Sequence, residues 1–277
     1  MKLKISEKFY SIQGEGKSTG VPAYFIRLTD CNLSCGASQK ILNKIRKNEL
    51  ELNVNETWHG DLHLQGEATW TCDSVAVWIK GKEVGFQSVI DDWKTEEIYE
   101  DIKNGLIHII WTGGEPTLSY HQKSIVEFLE YLQNKEDEID DSQPEMEVFN
   151  EIETNGTIYI EDELFNKLSQ INCSAKLSNS GMSEKKRIVP IAIKRIMEHH
   201  NYQFKFVIFN EDDIKEMFRD YIVPFNIPLN KVTCMPALDN QEEYHEMTNF
   251  ICEMAKKYKF IAAQRLHLSS WGSVTGV

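Results

Sequence analysis

Runs of apolar, aromatic and β-branched residues recur along this chain, with helical periodicity between them, and that alternation limits the folds open to it. Val21 to Thr29 (VPAYFIRLT) ends at Asp30 and Cys31, a pattern expected of a buried strand that delivers a loop. Similar runs lie at Ile107 to Thr112, Met146 to Glu153, Gln203 to Phe209, Lys231 to Met235 and Phe260 to Leu268. Between them, Gln122 to Gln133 places Ile125, Phe128, Leu129 and Leu132 on one helical stripe, and Glu242 to Tyr258 does the same with Met247, Phe250, Ile251 and Met254. Strands that alternate with helices predict an α/β layout with a largely parallel sheet.

Two stretches break the rhythm. Residues 36–71 hold one predicted short helix, Gln39 to Leu50, and then a polar tract punctuated by aromatics, which reads as an insertion. Asn134 to Glu147 is a block of acidic charge with a proline, the pattern of a solvated surface loop. No internal repeat or long linker is visible, so residues 1–277 are expected to form one domain. A net charge of -13 argues against a broad nucleic-acid-binding surface and for a small-molecule substrate. With no signal-peptide pattern and no apolar stretch of membrane-spanning length, a cytoplasmic protein is expected. In a reducing compartment the six cysteines are for packing, metal or catalysis rather than for disulfides.

Cys31 and Cys35 flank Asn-Leu-Ser after the first apolar run, a spacing that lets a loop curl two thiolates onto one metal or cluster. The bland alternative is that both pack, as free cysteines often do. Cys72 is the candidate third soft ligand, whereas Cys173, Cys234 and Cys252 sit in apolar segments and are read as packing residues. Thr112-Gly113-Gly114-Glu115-Pro116 follows a strand, where glycines permit close backbone approach and a carboxylate can meet an ammonium group. Glu153-Thr154-Asn155-Gly156 and Ser174-Ala175-Lys176 end the next two strands, and polar residues at carboxyl ends of parallel strands are where α/β folds bind ligands. Gln13 and Glu15, between Gly14 and Gly16, offer donor and acceptor atoms suited to a planar heterocycle, or form a solvated turn. Arg27, inside an apolar strand, needs an anion, either a protein carboxylate or one on a substrate. The end of the chain carries His267, Trp271 and two glycines. It is either an ordinary terminus with a core histidine or a tail folded over a site, which would make its carboxylate a binding group.

Taken in order, Y-S-I-Q-G-E-G, G-V-P-A-Y-F-I-R-L-x2-C-N-L-x-C, T-G-G-E-P, E-T-N-G-T, S-A-K-L-S, Q-F-K-F-V, M-P and a terminal W-G-x3-G-V resemble the radical S-adenosylmethionine superfamily. Within it they are similar to the 7-carboxy-7-deazaguanine synthase family. The resemblance covers nearly the whole chain except residues 36–71 and the acidic loop. It implies a partial, modified TIM-type (β/α) barrel, a 4Fe-4S cluster on three cysteines, S-adenosylmethionine on the open iron, and Mg2+. It also implies a lyase-type ring contraction of 6-carboxy-5,6,7,8-tetrahydropterin with loss of ammonia, a flavodoxin or ferredoxin-type electron donor, and a homodimer. Carried over by position, Cys31, Cys35 and Cys72 would hold the cluster and Ser74 the Mg2+. Gly113, Gly114, Glu115, Glu153, Asn155, Ser174, Ala175, Lys176, Met235 and Pro236 would contact S-adenosylmethionine. Ile12, Gln13, Gly14, Glu15, Arg27, Thr112, His267 and Val277 would contact the pterin.

The chain departs from the superfamily's C-x3-C-x2-C pattern, since position 38 is serine and 36 residues separate Cys35 from Cys72. Loop-closure entropy grows only as the logarithm of length, so a structured insertion there is tolerable. Two alternatives stand beside this reading. One is a glycyl-radical-type activating enzyme, against which the Q-G-E-G and W-G segments stand. The other is a zinc or interaction module closed by Cys31, Cys35, Cys72 and one of His59 or His63.

Overall fold

The computed structural model describes residues 1–49, 66–72, 74–137, 147–237 and 241–271. Within them nine strands form one sheet: β1 (Lys2–Ile12), β2 (Pro22–Leu28), β3 (Lys82–Gly85), β4 (His108–Gly113), β5 (Asn150–Thr154), β6 (Gln170–Ser174), β7 (Tyr202–Ile208), β8 (Val232–Pro236) and β9 (Ile261–Ala262). Their order is β3-β1-β2-β4-β5-β6-β7-β8-β9. From β2 to β9 every pairing is parallel, while β1 runs antiparallel to both β2 and β3. The parallel sheet expected from the alternating runs is present, and the α/β architecture is that of a partial barrel.

Side chains alternate across a strand, and here the alternation divides core from site. Tyr24, Ile26 and Leu28 of β2, Ile109 and Trp111 of β4, Ile152 of β5, Ile171 and Cys173 of β6, and Phe204, Phe206 and Ile208 of β7 join the main core. Trp111, Trp93 and Tyr24 lie in it beside Phe128, and both Trp111 and Trp93 meet Phe128 edge to face at 5.6 and 5.7 Å. Each such pair contributes about 0.5–1.5 kcal/mol beyond its buried area. Many of the intervening positions are polar: Arg27, Thr112, Glu151, Glu153, Gln170, Asn172, Gln203, Lys205 and Thr233 lie on the opposite, inner face.

A β-bulge sets which face β1 presents. Ile5 lies opposite Leu28 but Glu7 lies opposite Arg27, so two residues of β1 answer one of β2. The extra residue turns Ile5 into the core and Glu7 onto the inner face. Phe9 and Phe25 then stack there with ring centroids 5.0 Å apart.

Several expected boundaries move. β1 and β3 were not among the expected strands, because Lys, Ser and Glu make up much of both and leave few apolar residues. The expected strand Phe260 to Leu268 is only β9, followed by a helix, Leu266–Trp271. Contacts to the amino-terminal segment, described below, draw it off the sheet. The Met146 to Glu153 run pairs only from Asn150, and the helix expected over Gln39 to Leu50 spans Gln39–Arg46. Its apolar face, Ile41, Leu42 and Ile45, packs on Val75 and Trp78 in a small separate core. The two long helices are present as Ser119–Asp137 and Gln241–Tyr258. Cys173 and Cys234 are buried as expected, but Cys252 is exposed on the solvent side of its helix. Most of the acidic block, His59, His63 and the terminal Gly272 to Val277 lie outside the described residues.

Candidate active site

The loop after β2 brings the three candidate ligands together. Cys31, Cys35 and Cys72 share one apolar pocket with Leu33, Trp70 and Met182. The Cys72 amide donates to the Cys35 carbonyl at 3.0 Å, so the segment between them starts and ends at the same place. Gly36 makes this closure possible: its φ is +75°, and a Cβ there would strike the Trp70 carbonyl. Burial pushes the Cys31 thiol well up, with Glu115 and the other two thiols adding to the effect. Such a trio favours its thiolates only beside strong positive charge, as a metal cluster supplies. Three cysteine thiols gathered on one loop are the soft donors that an iron–sulfur cluster takes, and the donor set fits such a cluster. Asn155 reaches in from the end of β5, its amide 3.9 Å from the Cys31 sulfur and 2.9 Å from Asn32 Oδ1.

The T-G-G-E-P segment packs directly against this loop. A Cβ on Gly114 would strike the Asp30 carbonyl, and the Glu115 amide donates to that carbonyl at 2.8 Å. Glu115 is fully buried, and its carboxylate accepts from Thr117 N, Thr117 Oγ1, Thr154 Oγ1 and Asn155 N at 2.9, 2.5, 2.7 and 2.8 Å. With four protein donors on it, this carboxylate ties the ends of β4 and β5 together and fixes the backbone of Gly113 and Gly114.

Across the inner face runs a buried charge network. Lys205, 2% exposed, lies 2.7 Å from Glu153 and 3.0 Å from Glu15. Gln13 donates to Glu153 at 3.3 Å and accepts from the Glu15 amide at 3.2 Å. Asn172 bridges Glu151 and Glu153 at 2.7 and 3.1 Å, and Glu151 also holds His108 at 2.6 Å. Arg265 meets Glu15 at 3.0 Å, and the Leu266 amide donates to the Gly14 carbonyl at 2.8 Å. His267 lies where a Cβ on Gly14 would stand, so the helix Leu266–Trp271 sits on the Q-G-E-G turn.

Two carboxylates thus share one buried ammonium, and the charges around them decide which keeps its proton. Burial alone would raise Glu15, but Lys205, Arg265 and His267 outweigh it and hold this carboxyl far below its ordinary range. Glu153 has Lys205 but also Glu15 and Glu151 beside it, and burial lifts it to about 7. Lys205 itself is raised: burial works against its charge, and Glu153 and Glu15 win.

The remaining expected residues are placed as follows. Arg27 and Thr112 are register partners on the inner face. Arg27 Nε lies 3.3 Å from Glu7, and its guanidinium lies over the Phe9 ring at 5.4 Å, so a protein carboxylate is its partner here. Lys176 donates to Ser174 at 2.8 Å, and Ala175, Met235 and Pro236 are buried at neighbouring strand ends. Ile12 closes β1, and Ser74 precedes the short helix Val75–Trp78, one turn from Cys72. Val277 lies outside the described residues. Lys205, Arg265, Glu7, Asn172 and Trp70 were not singled out from sequence. For Lys205 and Asn172 the signal was available: a polar residue at every second position of otherwise apolar strands.

No family model matches the chain. Among curated proteins it is 25% identical over 275 residues to the 7-carboxy-7-deazaguanine synthase of Pyrobaculum aerophilum, covering 99% of this chain and 97% of that one. It is 28% identical over 236 residues to the synthase of Clostridium acetobutylicum, 82% of this chain and 77% of the relative. A 35-residue segment, 13% of this chain and 19% of the relative, is 63% identical to that of Bacteroides thetaiotaomicron. The chain is similar along nearly its whole length to 7-carboxy-7-deazaguanine synthases. The solved structure of QueE from Escherichia coli superposes with a TM-score of 0.57 over 96% of this chain and 95% of that one at 18% identity, and so shares its fold.

Proposed function

We propose that this chain is a radical S-adenosylmethionine lyase that converts 6-carboxy-5,6,7,8-tetrahydropterin into 7-carboxy-7-deazaguanine with release of ammonia. The observation that carries the reading is the meeting of Cys31, Cys35 and Cys72 beside a polar inner face, in a chain similar along nearly its whole length to the synthases. When bound, a reduced 4Fe-4S cluster on these cysteines and S-adenosylmethionine supply a 5'-deoxyadenosyl radical for hydrogen abstraction.

The chain's own residues do the rest. Glu115 fixes the glycine backbone that faces S-adenosylmethionine, and Lys176 with Ser174 presents an ammonium and a hydroxyl to its carboxylate. Glu153 and Asn155 complete that side, and Ala175, Met235 and Pro236 wall it. Gln13 and Glu15, fixed by Lys205 and Arg265, offer an amide and a carboxylate to the pterin's edge, with Ile12 and Gly14 beside them and His267 over the turn. Arg27, with Thr112 next to it, would exchange Glu7 for the substrate carboxylate. Ser74 would bind Mg2+, an oxygen-seeking ion that suits a hydroxyl ligand. Residues 36–71 are read as an insertion in a single domain, and a homodimer supplied by a flavodoxin or ferredoxin-type donor completes the proposal. No described helix is long and apolar enough to cross a membrane.

Anaerobic reconstitution tests this. The expected protein is brown, binds S-adenosylmethionine and, with strong reductant and Mg2+, forms the deazapurine. One equivalent of zinc without iron or sulfide after anaerobic purification would instead establish the closed zinc module.

A further inference from the structure

Residues 66–72 return the chain from the long segment that begins at Gly36, and they do more than deliver Cys72. The Thr69 amide donates to the Asn179 carbonyl at 2.9 Å, and the Gly36 amide to the Ser180 carbonyl at 2.9 Å. Trp70 Nε1 donates to Asn179 Oδ1 at 3.0 Å. Both ends of the segment are therefore fastened to the short turn Ser178–Ser180, which immediately follows Lys176 and Leu177. The Trp70 ring, half-buried, carries the Lys176 ammonium over its face at 5.8 Å. The same ring packs with Cys31, Cys35 and Cys72.

We infer that Trp70 is a positioning residue for Lys176, so that the return arm of this segment forms one wall of the site that takes the amino-acid carboxylate of S-adenosylmethionine. A lysine on a flexible four-carbon stem loses much rotamer freedom when it meets an anion. An indole face held in place by Asn179, together with the Ser174 hydroxyl, confines the ammonium before the ligand arrives. The cation–π contact also leaves the outer side of the ammonium open to a carboxylate. One side chain then serves both halves of the site: its ring shields the cysteine trio, and its face orients the cation.

The inference rests on the assignment of Lys176 to S-adenosylmethionine, and the test separates the two. Reconstituted wild-type, Trp70→Leu, Trp70→Phe, Asn179→Ala and the Phe/Ala double variant would be assayed for iron per chain and for S-adenosylmethionine affinity by equilibrium dialysis, without turnover. Trp70→Leu is expected to raise the dissociation constant about three- to thirty-fold, the span of a cation–π contact, with iron content unchanged. Trp70→Phe and Asn179→Ala should each give a smaller, matching rise, and the double variant no more than either, because both remove the same hydrogen bond. Wild-type-like affinity in Trp70→Leu, when Lys176→Met abolishes binding, overturns the positioning role and leaves the Lys176 assignment intact. If Lys176→Met binds as well as wild type, both fall. Should Trp70→Leu lose iron, the Phe and Asn179 variants decide: a matched rise at full iron supports the inference, and unchanged affinity overturns it.

Discussion

Lys205 is the residue on which the inner face depends most. Its buried ammonium lies within 3.0 Å of two half-buried carboxylates, and removing one partner of a buried ion pair costs about 3–5 kcal/mol because the other charge is left uncompensated. Lys205→Met is expected to lose stability of that order at neutral pH in urea melts, and less near pH 5, where a carboxylate can take up a proton instead. Glu153 makes the complementary case. Its carboxyl is raised to about 7 in the folded chain and titrates in its ordinary range, near 4.3, when unfolded. The native state therefore holds this proton more tightly, so the group's contribution to stability is full below the unfolded value and is lost as pH rises to about 7. Glu153→Gln should abolish that component: relative to the variant, wild type is expected to lose up to about 3 kcal/mol between pH 4.5 and 7, measured by denaturant midpoints across the window. The depressed Glu15 acts with the opposite sign, its stability being present above the unfolded value and lost as pH falls. None of this was legible in the isolated motifs. Gln13, Glu15 and Glu153 were recognised as polar groups near a ligand, but the cation that organises them stood at position 205 inside an apolar strand.

At the scale of elements, the segment from Gly36 to Thr71 behaves as a loop with its stem pinned shut. Gly36 at φ +75° lets Trp70 and Thr71 lie against it, and alanine there meets both a steric clash and a strained backbone, the latter worth about 1–2 kcal/mol. Gly36→Ala should displace Cys72 from Cys35, seen as a fall in iron bound per chain after anaerobic reconstitution while the far-ultraviolet circular dichroism spectrum is kept. The helix Gln39–Arg46 belongs to the fold, because Ile41, Leu42 and Ile45 cover Val75 and Trp78. Replacing that helix by a flexible linker is expected to lower both the thermal midpoint and the iron bound per chain, because it exposes that apolar face. The helix and Cys72 are legible in the sequence, but the stem is not, since it is made of backbone bonds from Cys72 to Cys35, Gly36 to Ser180 and Thr69 to Asn179 that leave no periodic trace. The same limit explains the false strand at Phe260 to Leu268. Its apolar alternation was real, and the ion pair of Arg265 with Glu15 together with the Leu266 to Gly14 hydrogen bond took the chain elsewhere.

For the whole molecule, the alternating pattern of apolar runs and amphipathic helices was enough to read a parallel α/β sheet, because each buried strand pairs with the next one in space. The antiparallel edge was not readable, since β1 and β3 hold few apolar residues among their lysines, serines and glutamates, and such charges blunt an edge. The order of motifs along the chain corresponds to the order of strand ends around the site, which is why a linear resemblance could point to so many inner-face positions. Removal of the helix Leu266–Trp271 should leave cluster loading and S-adenosylmethionine binding near wild type, because those residues lie on the far side of the inner face. Affinity for the carboxytetrahydropterin is expected to fall at least tenfold, checked by direct binding of the pterin to reconstituted protein.

That helix meets the turn around Gly14, so the two sides of one contact are written some 250 codons apart in the message. During translation the early strands leave the ribosome with Glu15 facing Lys205 only after most of the sheet has been made, and they wait longer still for Arg265. In a chain made from its amino terminus, the network around Glu15 is therefore closed only once residue 265 has been added.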